Sequence, residues 1–157
     1  ITTKRTYIYI IKNSEVPLGI EFDNFLWIRS RLNEKQMNKA AKKLLGEQDF
    51  SSFRASGCQS KSVIRRIYKA NVTRKGNYLI FEVAANAFLL NMIRIIVGTL
   101  IKVGRNEITP KDFENIIKKR DRKLAGRTIE AKGLYFVGPE YNNLDYKVNK
   151  VFVNELD

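Results

Sequence analysis

The residue of this sequence best suited to chemistry is Arg94, the single charged side chain in the apolar stretch ANAFLLNMIRIIVGTLI (85–101). Removing an unpaired guanidinium from water is costly, so its surroundings must compensate the charge. In one interpretation the aliphatic stem covers apolar surface while the charged head reaches solvent. In the other, Arg94 faces a cleft and binds an anion through its planar set of donors. The spacing alone leaves both interpretations open.

The residue types that are missing exclude several classes of site. The 157 residues include no histidine and one cysteine, Cys58. The chain therefore supplies no histidine-based triad, no histidine general base and no histidine metal site. A single cysteine also permits neither an internal disulfide nor a cysteine-rich metal site. We expect Cys58 to be a buried structural thiol.

The charge of the chain favours a polyanionic partner. Lys and Arg number 29 against 16 Asp and Glu, which gives a formal net charge of +13. Nucleic acid is the expected partner, because basic residues release counterions from phosphates. The alternative is a lysine-rich surface whose charges are only solvated, and no DNA-binding motif is apparent. Residues 50–81 contain no acid, and their basic residues are Arg54, Lys61, Arg65, Arg66, Lys69, Arg74 and Lys75.

The elements that must position these residues are strands and helices in mixed order. Aromatic and β-branched residues predict strands at 6–11, 62–73, 78–84 and 133–137, with a hairpin between the second and third. Capping residues and apolar spacing predict three helices. The first follows Asn33 and Gln36 and stops at Gly46, the second covers 86–103, and the third begins at Thr109. Residues 16–27 and 49–59 are predicted to be irregular.

This pattern predicts an α+β fold, in which an antiparallel or mixed sheet carries two to three helices mainly on one face. The whole chain, 1–157, reads as a single domain with a tail at 142–157 and a possible short strand at 150–153. The helix around Arg94 is interrupted by polar residues and is too short to span a membrane. The chain has no initiator methionine and no signal peptide, so we expect a piece of a longer, cytoplasmic protein.

Four segments resemble the tRNA pseudouridine synthase A (TruA) family, in the order in which that family has them. They are TYIYII (6–11), DFSSFRASG with SVIRRI (49–57 and 62–67), ANAFLLNMIRIIVGTL (85–100), and DRKLAG with AKGLYF (121–126 and 131–136). Each segment alone is moderately specific, whereas together they are specific. The resemblance covers about residues 4–141.

The resemblance implies an isomerase that converts selected uridines of the tRNA anticodon stem-loop into pseudouridine, without metal or organic cofactor. A catalytic aspartate attacks the nucleoside, and an arginine pairs with that aspartate. A tyrosine stacks on the flipped base, and a leucine packs in the pocket. By position in the matching segments, these three residues are Arg94, Tyr7 and Leu134. The resemblance also makes a homodimer plausible.

The departures from the family pattern concern the nucleophile. The family's aspartate belongs to a Gly-Arg-Thr-Asp motif that is absent here, since Ile129 follows the only Gly-Arg-Thr of the chain. We therefore expect the aspartate to lie in a missing N-terminal domain of the same protein, and this chain alone to be inactive. Without the resemblance, Tyr7 and Leu134 would be read as core residues of strands.

Two functional hypotheses remain open at this point. The first is the C-terminal domain of a tRNA pseudouridine synthase, which supplies half of the active-site cleft and an RNA-binding surface. The second is a non-catalytic module of the same fold that binds structured RNA. Both predict tRNA or other RNA as the partner and no membrane. The predicted RNA-binding residues are Arg54, Lys61, Arg65, Arg66 and Lys69, although Arg65 and Arg66 also suit a solvated strand face.

Overall fold

The computed structural model of the protein describes residues 4–138. Within this range the chain forms six strands, three α-helices and three short 3₁₀ turns. The strands are β1 (Arg5–Asn13), β2 (Leu26–Ile28), β3 (Gly46–Asp49), β4 (Ile64–Lys75), β5 (Tyr78–Ala85) and β6 (Leu134–Gly138). The helices are α1 (Glu34–Lys42), α2 (Met92–Gly104) and α3 (Pro110–Lys119).

All six strands belong to one sheet with the order β2-β1-β5-β4-β3. Strand β6 pairs with β1 as well, antiparallel, on the half of β1 that precedes the segment paired with β2. The β1–β2 pairing is parallel, while β1–β5, β4–β5 and β3–β4 are antiparallel. The sheet is therefore mixed and, with its helices, gives the α+β fold that the sequence predicts.

The alternation of side chains along the central strands separates the two faces of the sheet. On β5, Leu79, Phe81 and Val83 join the main core together with the buried residues of all three helices. Ile80, between them, belongs to a smaller cluster on the opposite face. Both faces of β5 are thus covered, which explains why every residue of this strand is buried. The three helices pack on the face that carries Tyr9 and Ile11 of β1.

Helices α1 and α3 begin at the residues that their capping patterns predict. The side chain of Asn33 accepts a hydrogen bond from the backbone N–H of Gln36 at 3.1 Å. Thr109 and Asp112 form a reciprocal capping box, with Pro110 in the first turn. Such caps satisfy backbone N–H groups that have no partner inside the helix. The inward residues of α3 are Phe113, Ile116 and Ile117, as predicted.

The structure corrects several predicted boundaries. Helix α2 begins at Met92 and not at residue 86, because Asn91 has a left-handed backbone with φ of 58°. Helix α1 ends at Lys42, before Gly46, which instead opens strand β3 with φ of 95°. The segments predicted as irregular contain strand β2 and a 3₁₀ turn at Ser51–Phe53. The tail and its possible strand at 150–153 lie outside the described residues.

No helix among residues 4–138 is long and apolar enough to cross a bilayer.

Cys58 is not buried as expected: its side chain is half-buried and packs at the margin of the main core. The loop that carries it follows the 3₁₀ turn and is closed by Arg54, whose guanidinium donates to the carbonyls of Cys58 and Ser60 at 2.9 and 3.1 Å. The thiol therefore remains accessible.

Candidate active site

Arg94 lies in the first turn of α2, directly after the left-handed Asn91. Asparagine tolerates this backbone conformation better than most residues. Its side chain makes no hydrogen bond to the N-terminal N–H groups of the helix. Instead, Asn91 Oδ1 accepts a hydrogen bond from Nη1 of Arg94 at 3.1 Å. The tight turn before α2 thus fixes the orientation of the arginine.

A second partner of Arg94 is a backbone carbonyl from a distant part of the chain. Nε of Arg94 donates to the carbonyl of Ile129 at 2.7 Å, and the N–H of Ile129 donates to the carbonyl of Arg94 at 3.3 Å. Among residues 4–138 these two residues, Asn91 and Ile129, are the only hydrogen-bond partners of the guanidinium, and Nη2 takes part in neither bond. Arg94 is half-buried. Two of its nitrogens are fixed by these hydrogen bonds, which leaves Nη2 to donate to a ligand.

The segment that presents the Ile129 carbonyl is pressed closely onto α2. A Cβ atom on Gly98 would lie 2.0 Å from the carbonyl oxygen of Arg127, and one on Gly126 would lie 2.7 Å from the backbone of Gly98. The buried Thr99 hydroxyl accepts from the N–H of Gly126 at 2.8 Å. Two glycines are required here because the two backbones touch.

A tyrosine of β1 fixes the same segment from its other side. The buried Tyr9 donates its hydroxyl to the carbonyl of Glu130 at 2.5 Å. Burial raises the pKa of the Tyr9 phenol, and the nearby Glu130 carboxylate acts in the same direction. Tyr9 is therefore a neutral hydrogen-bond donor at any physiological pH. It supports the residue next to Ile129, and hence the partner of Arg94.

The structure brings Arg94 together with Tyr7 and Leu134. All three line one pocket of about 250 Å³ between β1, β6 and the start of α2. The half-buried Tyr7 ring makes an edge contact with Phe88 at a centroid distance of 5.4 Å. It also packs against Phe136 of β6, its cross-strand neighbour. This volume lies just below the range of roughly 300–1,000 Å³ that is typical of pockets for drug-sized ligands.

The pocket is electropositive. Its charged lining residues within the described chain are Arg5 and Arg94, and none of those residues is acidic. Residues Asn91 to Arg94, the N-terminus of the 13-residue helix α2, also line it. A helix N-terminus carries a partial positive charge and backbone N–H donors. The arrangement therefore favours an anion, such as a carboxylate or a phosphate, next to Arg94.

Comparison with known proteins agrees with the resemblance of the motifs. The family model described as tRNA pseudouridine synthase matches residues 40–142. The chain belongs to the tRNA pseudouridine synthase family. The tRNA pseudouridine synthase A of Francisella philomiragia subsp. philomiragia is 45% identical over 145 residues, which cover 92% of this chain and 56% of the relative. The enzyme of that name from Francisella tularensis subsp. novicida is 46% identical over 143 residues, 91% of this chain and 55% of the relative.

This member of the family spans a little over half the length of the curated relatives it matches.

The aspartates of residues 4–138 do not line the Arg94 pocket, and three of them make hydrogen bonds within loops or helix caps. Asp49 accepts from the N–H and hydroxyl of Ser51, at 2.8 and 2.5 Å. Asp112 belongs to the cap of α3, and Asp121 accepts from the N–H of Lys123. Asp23 lies exposed in the loop before β2.

The predicted RNA-binding residues lie on β4 and on the loop before it, and four of them are engaged within the chain. Arg54 and Arg65 donate to backbone carbonyls and to Ser60 of that loop. Arg66 forms an ion pair with Glu47 at 3.5 Å, and Lys69 with Glu82 at 3.0 Å. Lys61 is exposed. In this member of the family, much of the charge on β4 is therefore offset locally.

Two parts of the site were not predicted from the sequence. The Ile129 carbonyl is a backbone group, and its position depends on the contact between Gly98 and Gly126. Asn91 lay inside the segment predicted as a helix, 86–103, whereas it ends the turn before α2. Its position three residues before Arg94 is the one sequence signal that could have indicated it as a partner of the arginine.

Proposed function

We propose that this chain is the C-terminal part of a tRNA pseudouridine synthase, an isomerase that converts uridine to pseudouridine in the tRNA anticodon stem-loop. It contributes half of the active-site cleft and part of the RNA-binding surface. The observation that carries the proposal is that Tyr7, Arg94 and Leu134 line one pocket, although 127 positions separate the first of them from the last. The family membership and the names of the relatives support it.

In the proposed mechanism the nucleophile comes from outside this chain. A carboxylate from the remaining half of the protein enters the pocket and accepts hydrogen bonds from Arg94, whose Nη2 takes part in neither of its two internal hydrogen bonds. The guanidinium and the N-terminus of α2 keep this carboxylate ionised and therefore nucleophilic. The reaction breaks the bond between C1′ of the ribose and N1 of the uracil and forms a bond from C1′ to C5. The proton lost from C5 is balanced by one gained at N1, so the product is an isomer.

Tyr7 and Leu134 act on the uracil base in this proposal. A base extruded from the stem-loop needs a flat partner and an apolar wall. The Tyr7 ring supplies the first, because Phe88 and Phe136 hold it from two sides. Leu134 supplies the second from the adjacent strand β6, where it pairs with Tyr9, two positions along the register from Tyr7. The protein functions in the cytoplasm, as a homodimer.

Pseudouridine formation on an unmodified tRNA transcript tests the proposal. The protein extended upstream to the length of its relatives should convert uridine, and the 157-residue chain alone should not, because a cleft without a nucleophile cannot start a covalent route. Turnover by the short chain would overturn the role of an upstream aspartate. An inactive extended protein that carries a Gly-Arg-Thr-Asp motif would overturn the enzymatic function.

The second candidate is a non-catalytic module that binds structured RNA. The observation that favours it is the absence of an acidic residue from the described lining of the pocket. The coding sequence upstream of Ile1 separates the two candidates. A Gly-Arg-Thr-Asp motif there supports the enzyme, and an upstream segment without this motif supports the binding module.

A further inference from the structure

A second, larger cavity lies away from the Arg94 pocket, at the edge of the sheet. It is an open groove of about 1,250 Å³ between strand β2, the C-terminal half of α2 and residues 125–130. Five basic side chains line it, against two carboxylates, Glu15 and Glu130. The basic residues are Arg29, Arg31, Lys102, Arg105 and Arg127. The groove is thus a concentrated region of positive charge.

The charges of the groove differ from those of β4 in being unneutralised. No acidic group within residues 4–138 lies within ion-pair distance of Arg29, Lys102, Arg105 or Arg127. The exposed Arg31 has a half-buried partner, Glu34, at 3.6 Å, and Glu130 is itself paired with Lys132 at 3.4 Å. Four positive charges placed together without partners raise the local potential and favour a polyanion over a small neutral ligand.

An aromatic side chain is part of the same groove. Trp27, the single tryptophan of the chain, lies on β2 and is half-buried. Its Nε1 donates to the carbonyl of Ser14 at 2.9 Å, which fixes the ring at the sheet edge. Proteins that bind single-stranded nucleic acids combine aromatic rings with arginines and lysines, because bases stack on the rings while phosphates contact the cations. The groove has both.

The groove is formed before any ligand arrives. Its floor includes the close crossing of Gly98 and the Arg127 backbone, so the position of Arg127 relative to α2 is set by backbone contact. Lys102 and Arg105 follow on α2 itself, within the last turn and at its end. A charged surface on rigid elements binds with a smaller entropy cost than one on a mobile loop.

We propose that this groove binds the backbone of an RNA strand, with Arg29, Lys102, Arg105 and Arg127 at phosphates and Trp27 against a base. The inference rests on RNA as the partner in the proposed function, and it moves the main contact surface from β4 to the groove. It predicts a place on the chain where RNA binds outside the catalytic pocket.

The intrinsic fluorescence of Trp27 tests the proposal directly, because no other tryptophan contributes. A dye-labelled RNA hairpin is titrated with the 157-residue chain, and anisotropy gives the affinity. In parallel, unlabelled hairpin is added to the chain and the tryptophan emission is recorded. We expect the emission to change with the same midpoint as the anisotropy. Saturable anisotropy with constant Trp27 emission would overturn the groove as the RNA site.

A matched pair of double variants separates groove charges from net charge. Lys102→Ala with Arg105→Ala removes two groove cations, and Lys35→Ala with Lys39→Ala removes two exposed cations of α1 that do not line the groove. The groove variant should weaken binding on the order of tenfold and reduce the salt slope by about 1.4, at roughly 0.7 per contact. The control should lie near the unmodified chain.

The remaining outcomes are also decisive. Equal losses in both double variants would overturn the inference, because they would show that total charge and not the groove determines binding. An RNA that gives no anisotropy change at all would overturn both the groove and RNA as the partner of this chain. Circular dichroism of both double variants checks that each is folded, as expected because the four substituted side chains are exposed or half-buried.

Discussion

At the residue scale, Arg94 shows how a charge is kept in an apolar helix without a salt bridge to any acidic group of residues 4–138. Asn91 and the Ile129 carbonyl accept hydrogen bonds from two of its nitrogens, the third nitrogen has no partner within residues 4–138, and the residue lines the pocket. The arginine neither extends into bulk solvent nor lies uncompensated in the core. It is held in a fixed orientation toward the place where we expect a carboxylate.

Substitution of Arg94 should affect activity and stability through different contacts. Arg94→Lys keeps the charge but one ammonium cannot replace a planar fork with two fixed partners. Arg94→Met removes the charge. In the extended protein both should reduce the single-turnover rate on tRNA on the order of a hundredfold, the usual cost of losing a positioned donor. Full activity of Arg94→Met would exclude Arg94 from the site.

In the 157-residue chain, Arg94→Met should also destabilise the fold. From the sequence, an uncompensated guanidinium predicts that methionine is neutral or stabilising. The structure reverses this expectation, because methionine leaves the Ile129 carbonyl without its donor. The loss should be about 1–3 kcal/mol, measured as a lower urea midpoint. Arg5→Met, at an exposed position on the rim of the same pocket, is the control and should leave the midpoint unchanged.

The Cys58 thiol should react at lower pH than an ordinary thiol. Hydrogen bonds from the backbone of Ser60 and Leu90, together with the Arg54 guanidinium, lower the pKa of Cys58 because they stabilise the thiolate. The rate of modification by an aromatic disulfide, followed against pH, should have a midpoint below about 8.5, the value of a free thiol. Arg54→Ala should raise that midpoint and Lys61→Ala should not. A midpoint at or above that of a free thiol would contradict the assignment.

The sequence predicted the residues of the pocket but not the groups that hold them in place. Tyr7, Arg94 and Leu134 were predicted from their positions in matching segments, and they line one pocket. Their catalytic roles stay predictions. The partners of Arg94 were not predicted, since a backbone carbonyl has no residue type and its position depends on packing. The ion pairs of Arg66 and Lys69 were missed because Glu47 and Glu82 lie on neighbouring strands and outside the basic segment.

At the scale of elements, the contact between α2 and residues 125–130 contributes to both cavities. One side of this contact presents the Ile129 carbonyl to Arg94, and the other forms the floor of the basic groove. The contact depends on Gly98, which lay in the segment predicted as a helix without any sign that a second backbone approaches it. Four of the six described strands and the three helices followed from spacing and caps, whereas the short strands β2 and β3 did not. The start of α2 was also missed, because a left-handed asparagine has no periodic signal.

Gly98→Ala should disrupt this contact. The new Cβ would lie 2.0 Å from the Arg127 carbonyl oxygen, a backbone atom that cannot rotate away. We expect a loss of roughly 1–3 kcal/mol, the usual range for overpacking, measured by urea unfolding. Gly19→Ala is the matched control, because its Cβ would meet only the Glu21 side chain at 3.5 Å. Equal midpoints for the two variants would show that residues 125–130 yield easily.

At the scale of the whole molecule, the excess of 13 positive charges favours RNA binding, and the number of cations that contact phosphates sets how steeply this binding depends on salt. If about four cations meet phosphates, the logarithm of the binding constant for tRNA should fall by roughly 3 per decade of salt. Arg66→Ala alone should change this slope little, since Glu47 already offsets its charge. Filter binding between low and moderate salt measures both. Binding that is insensitive to salt would exclude an electrostatic contact surface.

The pairing of β1 has a consequence for the time order in which the protein can form. The first described strand receives neighbours from β2, from β5 and, more than 120 residues later, from β6. During translation the hairpin of β4 and β5 can assemble early, yet the edge of β1 that β6 covers next to Tyr7 stays open until β6 leaves the ribosome. Among the elements of residues 4–138, the strand that brings Leu134 to the Arg94 pocket is therefore synthesised after all the others. A nascent chain that still lacks β6 exposes an aromatic strand edge that can pair with other chains.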